Sequence, residues 1–287
     1  MHKTRREVNE HTTTDEVIKY YWCYLSRNKE YATHFEQFKK RYNSDKKSAE
    51  AEAVVFSLFR AEKLKPEIFE DPSTGGPDFI CNPSSEESFL LEVTSLDSAS
   101  VSKKSDLPLT MSGAGRGAFG LITDKLLSAV KSKTKQLSGR GLPGVLVITS
   151  AYDFSGLLLD RMSAECLMTS APQFNEPLNG GPDYMTTDLR NAVFCRPGLF
   201  NASGEQMFLP CRKSVSAILL IQIYPSCTRI VGLLHPEPAI PFNPNWFPKV
   251  PYLRFRQWPL AANNIDTEWI LGDHEHEEAT FVHRRIS

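Results

Sequence analysis

Three runs of apolar and β-branched residues limit what this chain can fold into: SFLLEVTSL at Ser88–Leu96, GVLVITSA at Gly144–Ala151 and SAILLIQIY at Ser216–Tyr224. Runs of this kind suit strands covered on both faces by helices. RIVGLLH, Arg229–His235, supplies a hairpin partner for the third run, and shorter strand candidates lie at Glu67–Glu70 and Asp78–Cys81. Helical spacing predicts a helix over Thr14–Tyr42, a second over Ser48–Leu64 and a third over Leu121–Leu137. The second presents Ala51, Val54, Val55, Leu58 and Phe59 as its apolar face, with Glu50 and Glu52 in its first turn and Pro66 ending it.

The expected class is therefore α/β: a mixed β-sheet core flanked by helices, with an N-terminal helical extension. Residues 1–47 form that extension, residues 48–235 the core, and residues 236–287 a Pro- and aromatic-rich cover with an acidic tail. Within the core, Tyr152–Lys213 reads as an insertion, because Gly, Pro, Asn and Met break its periodicity.

With 287 residues and 41% hydrophobic content, the chain can bury a sizeable core. The net charge of −1 gives no global basic field. Locally, Lys103–Arg140 carries eight basic residues against Asp106 and Asp124, a candidate polyanion-facing side or simply a solvated helix face. The six cysteines are scattered without a C-x-x-C pair, which argues against a zinc ribbon and a disulfide framework. The polar start and the lack of a long apolar run lead to the expectation of a cytoplasmic protein without a membrane span.

The string TGGPDF, Thr74–Phe79, recurs as NGGPDY, Asn179–Tyr184. The two copies have different sequels. Thirteen residues separate Asp78 from Glu92, which lies inside the apolar run LLEVTSL. A carboxylate in a buried strand is costly unless paired, hydrogen-bonded or metal-bound. Two carboxylates on adjacent strands can direct hard oxygen ligands at one Mg²⁺, with Mn²⁺ as an alternative ion. An ion held so can polarise a phosphodiester and acidify an attacking water. After the second copy no acidic residue comes in a buried strand, and Glu205 lies in the polar stretch NASGEQM. That copy reads as a structural turn.

A helical Glu, then Pro-Asp at a strand start, then an acidic residue in the next strand, then a helix and a strand: this order resembles the PD-(D/E)XK nuclease superfamily, whose fold is restriction-endonuclease-like. The matching residues are Glu52 (or Glu50), Pro77-Asp78 and Glu92-Val93-Thr94, over about Ser48–Ala151. The resemblance implies a metal-dependent endonuclease, with Asp78 and Glu92 as metal ligands and Glu52 completing or orienting the site. It suits a restriction or defence setting, with nucleic acid, DNA first, as partner and a homodimer as an option.

The chain departs from the pattern at Thr94, where the family has lysine. Some members supply that lysine from the following helix, and LITDKLLSAVKSKTKQL offers candidates there. Lys133 is the first, with Gln136 three residues on and so on the same face, and Lys125 is the alternative. Lys125, Lys131 and Lys135, with Arg116 in the loop SGAGRGAFG, are expected to hold backbone phosphates. The other reading of Thr94 is a catalytically silent domain that binds nucleic acid or a protein. Trp246, Phe247, Tyr252, Phe255 and Trp258 could stack bases, but among so many prolines they read as packing, and Asp273–Glu278 reads as an acidic tail rather than a metal site.

Overall fold

The structure is a computed structural model that describes residues 12–71, 73, 75–96, 119–150, 159–170, 173–175, 184–186, 189, 191–260, 265–270 and 279–283. Arg116, the glycine-rich loop around it, the second Gly-Gly-Pro-Asp and Asp273–Glu278 lie outside these residues.

A mixed sheet of nine strands runs through the molecule. In chain order its strands are β1 (Glu67–Ile68), β2 (Phe79–Cys81), β3 (Phe89–Leu96), β4 (Gly144–Ser150), then β9 (Ala217–Ile223), β10 (Cys227–Leu234), β11 (Tyr252–Phe255), β12 (Thr267–Ile270) and β13 (Ala279–Val282). Across the sheet the order is β1-β2-β3-β4-β9-β10-β11-β12, and β13 also pairs with β10. The three apolar runs sit side by side as β3, β4 and β9, all parallel. β9 and β10 form the expected antiparallel hairpin.

Burial on both faces explains the composition of these strands. Leu90, Leu146, Ile148, Ile218 and Leu220 point into one core cluster. Their neighbours Phe89, Leu91, Val145, Val147, Ala217, Leu219 and Ile221 point into another. Period-two alternation thus serves two cores rather than one core and solvent. Each such side chain contributes on the order of 1.5–3 kcal/mol.

Three N-terminal helices cover the second face: α1 (Thr14–Arg27), α2 (Ala32–Ser44) and α3 (Lys46–Ala61). The single helix expected over Thr14–Tyr42 is two helices. The break is at Asn28, which leaves the helical region (φ −101°, ψ 107°) and caps the Tyr24 carbonyl with its amide at 2.7 Å. The pair is not peripheral, because Ile18, Tyr21, Leu25 and Phe38 share one core cluster with the sheet.

α3 begins two residues earlier than expected, capped by Asp45, whose side chain accepts from the Ser48 N–H at 3.2 Å. Glu50 and Glu52 therefore lie beyond its first turn. It ends before Pro66 has any effect. Lys63 takes φ 66°, and the Leu64 and Lys63 N–H groups bond back to the Phe59 and Arg60 carbonyls, a Schellman closure.

The other face carries α4 (Phe119–Lys133), and α5 (Arg161–Thr169) packs against α4. The region read as an insertion holds α5 and two small hairpins, β5–β6 (Gln173–Asn175, Tyr184–Thr186) and β7–β8 (Cys195–Phe200, Gln206–Pro210). Glu205 sits in the exposed β7–β8 turn, bonded to Asn201. The C-terminal segment is more than a cover, since β11, β12 and β13 extend the sheet. Phe247, Tyr252 and Phe255 are buried in it, as packing requires.

Gly232 in β10 shows how tightly that extension docks: a Cβ there would lie 2.3 Å from the fully buried Tyr252 ring. Gly232→Ala is expected to cost about 1–3 kcal/mol of stability, measured by urea denaturation.

Candidate active site

The first Gly-Gly-Pro-Asp is a turn that delivers Asp78 to β2. Gly75 and Gly76 take φ values of +71° and +140°, a region open to glycine and rarely to other residues. β2 then pairs antiparallel with β3, with Phe79 opposite Leu91. One step before the ladder, Asp78 falls opposite Glu92. Its Oδ2 accepts the Val93 N–H at 2.6 Å. Asp78 is 7% exposed and Glu92 1%.

Burial and neighbouring charges disturb the ionisation of both carboxyls. Burial, then the charges of Glu92 and Glu52, push the Asp78 carboxyl well above the usual carboxylate range. Burial raises Glu92 to about 7, against the pull of Lys133. Glu92 Oε2 is buried without a hydrogen-bond partner.

Lys133 reaches Glu92 from the helical layer. It stands at the last residue of α4, and its Nζ donates to Glu92 Oε1 at 2.7 Å. Thr94 lies two residues along β3 from Glu92, hence on the same face. The amine thus reaches from the helix to the face where a strand lysine would project. Gln136 does not share a helix face with Lys133, because α4 has ended; it lies in the following turn and gives only its backbone N–H to the Lys133 carbonyl. Lys131 and Lys135 are exposed, and Lys125 is half-buried.

Glu52 comes from the opposite layer and is already engaged. Its Oε1 accepts the Tyr21 hydroxyl at 2.7 Å and lies 3.0 Å from His34 Nε2. A carboxylate can only accept, so this nitrogen carries the proton. Arg41 pairs with Oε2 at 2.7 Å. Burial alone would raise the Glu52 carboxyl, but the His34 hydrogen bond and the Arg41 charge outweigh it and lower it. Glu70 stands 3.6 Å from His34 Nδ1. Tyr21 is held by ring contacts with Phe38, Phe56 and Phe79 at centroid distances of 5.1, 4.7 and 6.4 Å.

The structure therefore brings Glu52, Asp78, Glu92 and Lys133 into one cluster and adds Tyr21, His34, Arg41 and Glu70, which the sequence reading did not include. One signal for the addition was present. His34, Phe38 and Arg41 recur at helical spacing, so two polar side chains share a face with a core phenylalanine.

No family model, no curated protein and no solved structure matches this chain. The geometry has to carry the functional reading alone. Among the described residues no helix is long and apolar enough to cross a membrane.

Among the described residues, no three His, Cys, Asp or Glu side chains are grouped to hold an ion unaided. The Asp78–Glu92 pair offers hard oxygen donors from two carboxylates. That set suits Mg²⁺ or Mn²⁺, because Mg²⁺ keeps several waters and commonly takes one or two carboxylates plus substrate phosphate. The orphaned Glu92 Oε2 is the acceptor that such an ion would satisfy.

The raised pKa values carry a sign that can be tested. A carboxyl raised in the folded state contributes stability that is present below its unfolded pKa and lost as pH rises through its folded pKa, for Glu92 about 7. Asp78→Asn removes one of the two like charges and keeps an acceptor for Val93. In chelator it is expected to raise Tm at pH 8, by about 2–4 °C for each kcal/mol relieved. The gain should shrink toward pH 5, as followed by calorimetry.

Proposed function

We propose that the chain is a metal-dependent nuclease of PD-(D/E)XK type, hydrolysing phosphodiester bonds of nucleic acid, with DNA the first substrate to test. The observation that carries this reading is the buried Asp78–Glu92 pair with Lys133 delivered to Glu92 at 2.7 Å. An ion-pair network built only for stability gains little from two buried carboxyls that are both raised above the usual carboxylate range. Such pairs are expected where function uses them.

In this mechanism Asp78 and Glu92 hold the ion. A bound Mg²⁺ supplies Lewis-acid polarisation of the phosphoryl oxygen and a more acidic attacking water. Lys133 orients Glu92 and places a positive charge beside the phosphate, where an ammonium on a flexible stem can follow the developing negative charge. Glu52, fixed by Tyr21, His34 and Arg41, orients the α2–α3 side of the cluster. The restriction-endonuclease-like fold and the nucleic-acid partner belong to the same proposal. Thr94 favours a second reading, a silent domain of this fold that binds nucleic acid or a protein partner without cutting it.

Cleavage of plasmid, linear single-stranded DNA and RNA with Mg²⁺ or Mn²⁺ separates the two. Asp78→Ala should abolish metal-dependent cleavage, and Lys133→Ala should reduce it by about 10²–10³. Loss in Asp78→Ala alone would keep the nuclease and remove Lys133 from its role. No cleavage by the unaltered protein on any substrate would favour the silent domain.

A further inference from the structure

Arg41 is held unusually well for a surface-facing cation. One of its terminal nitrogens sits 2.7 Å from Glu52 Oε2, and Glu52 is itself bonded by Tyr21 and His34. The Arg41 side chain keeps 29% exposure against 3% for Glu52. The guanidinium thus spans from a buried anion to solvent. Burial would lower its pKa, but Glu52, then Asp78 and Glu70, hold it raised, so its charge is permanent and directed at the carboxylate cluster.

Lys133 comes from the other helical layer, also 29% exposed and paired to a buried carboxylate. Two partly exposed cations thus act on these carboxylates: Lys133 from α4 pairs with Glu92, and Arg41 from α2 pairs with Glu52 and feels the charge of Asp78. The ion pair with Glu52 engages one terminal nitrogen of the Arg41 guanidinium. Among the described residues the Arg41 side chain makes no other ion pair, so further N–H donors remain for an incoming group. A planar fork with fixed orientation matches phosphate geometry, and fixing it beforehand reduces the entropy lost on binding.

We infer that Arg41 contacts a substrate phosphate beside the Asp78–Glu92 pair, and that Tyr21, His34 and Glu52 are positioning residues that hold its guanidinium there. This rests on the nuclease reading and names the contact that reading lacks. It also gives α1 and α2 a share in the site.

The test is binding rather than cleavage. Fluorescein-labelled duplex DNA, its single strand and the matching RNA are titrated with the full chain, with Ca²⁺ in place of Mg²⁺, over a series of salt concentrations. Arg41→Gln should weaken binding about tenfold and reduce the slope of log K against log salt by about one. Arg41→Lys should keep the slope and recover part of the affinity. Arg41→Gln leaves Glu52 without its cation, so Arg41→Gln combined with Glu52→Gln is measured alongside. That variant removes both charges together and should keep the fold while showing the same loss of slope.

An unchanged slope in folded Arg41→Gln, or in the double variant, would overturn the inference and leave the nuclease reading standing. If the unaltered protein binds none of the three probes, the nuclease reading falls and the inference falls with it.

Discussion

Two buried carboxyl groups stand opposite each other one step before the β2–β3 ladder, and much of the surrounding structure can be understood as compensation for them. Buried like charges on paired strands resist ionising together without a counter-charge. Asp78 gains a backbone N–H from Val93, and Glu92 gains Lys133. The result is a pair that stays partly protonated near neutrality and has an unpartnered oxygen, Glu92 Oε2. That is a state prepared to exchange protons for a cation, in line with the proposed function.

The fold supplies the parts from three directions. The Gly75–Gly76 turn brings Asp78 in at the start of β2. The parallel β3–β4–β9 core holds Glu92 rigid, because both faces of these strands are packed. α4 ends where Lys133 reaches Glu92, and α1–α2 bring Tyr21, His34 and Arg41 to Glu52 from the opposite layer. A constellation of polar groups needs rigid support to be held in register, and support for this cluster comes from both helical layers. The N-terminal helices, read from sequence as an extension, belong to the same core and the same cluster.

Glu92 was legible in the sequence because a carboxylate inside an apolar run stands out locally, and Asp78 because Gly-Gly-Pro places it at the head of a strand. Lys133 was legible for a different reason: the missing lysine at Thr94 directed attention to the next basic helix. The partners of Glu52 were not legible. Tyr21 is 31 residues and His34 18 residues from Glu52, and only tertiary packing decides that they meet there. Helix ends were misjudged where backbone geometry overrode residue type, as at Lys63, which closes α3 before Pro66. Gln136 failed for the same reason, since a face argument holds only while the helix continues. The aromatics after Pro236 were read as packing, and they are, but the strands they build were hidden by the prolines around them.

The central claim is that Asp78 and Glu92 form a metal centre. Its most direct measurement is calorimetric titration of Mn²⁺ into the full chain, in buffers of different ionisation enthalpy, at pH 6 and pH 8. The account predicts saturable binding that releases more protons at pH 6 than at pH 8, because the pair must give up its protons to take the ion. It also predicts that Asp78→Asn abolishes this binding while the fold survives. Saturable binding that Asp78→Asn leaves unchanged, or no binding by the unaltered protein at either pH, would contradict it.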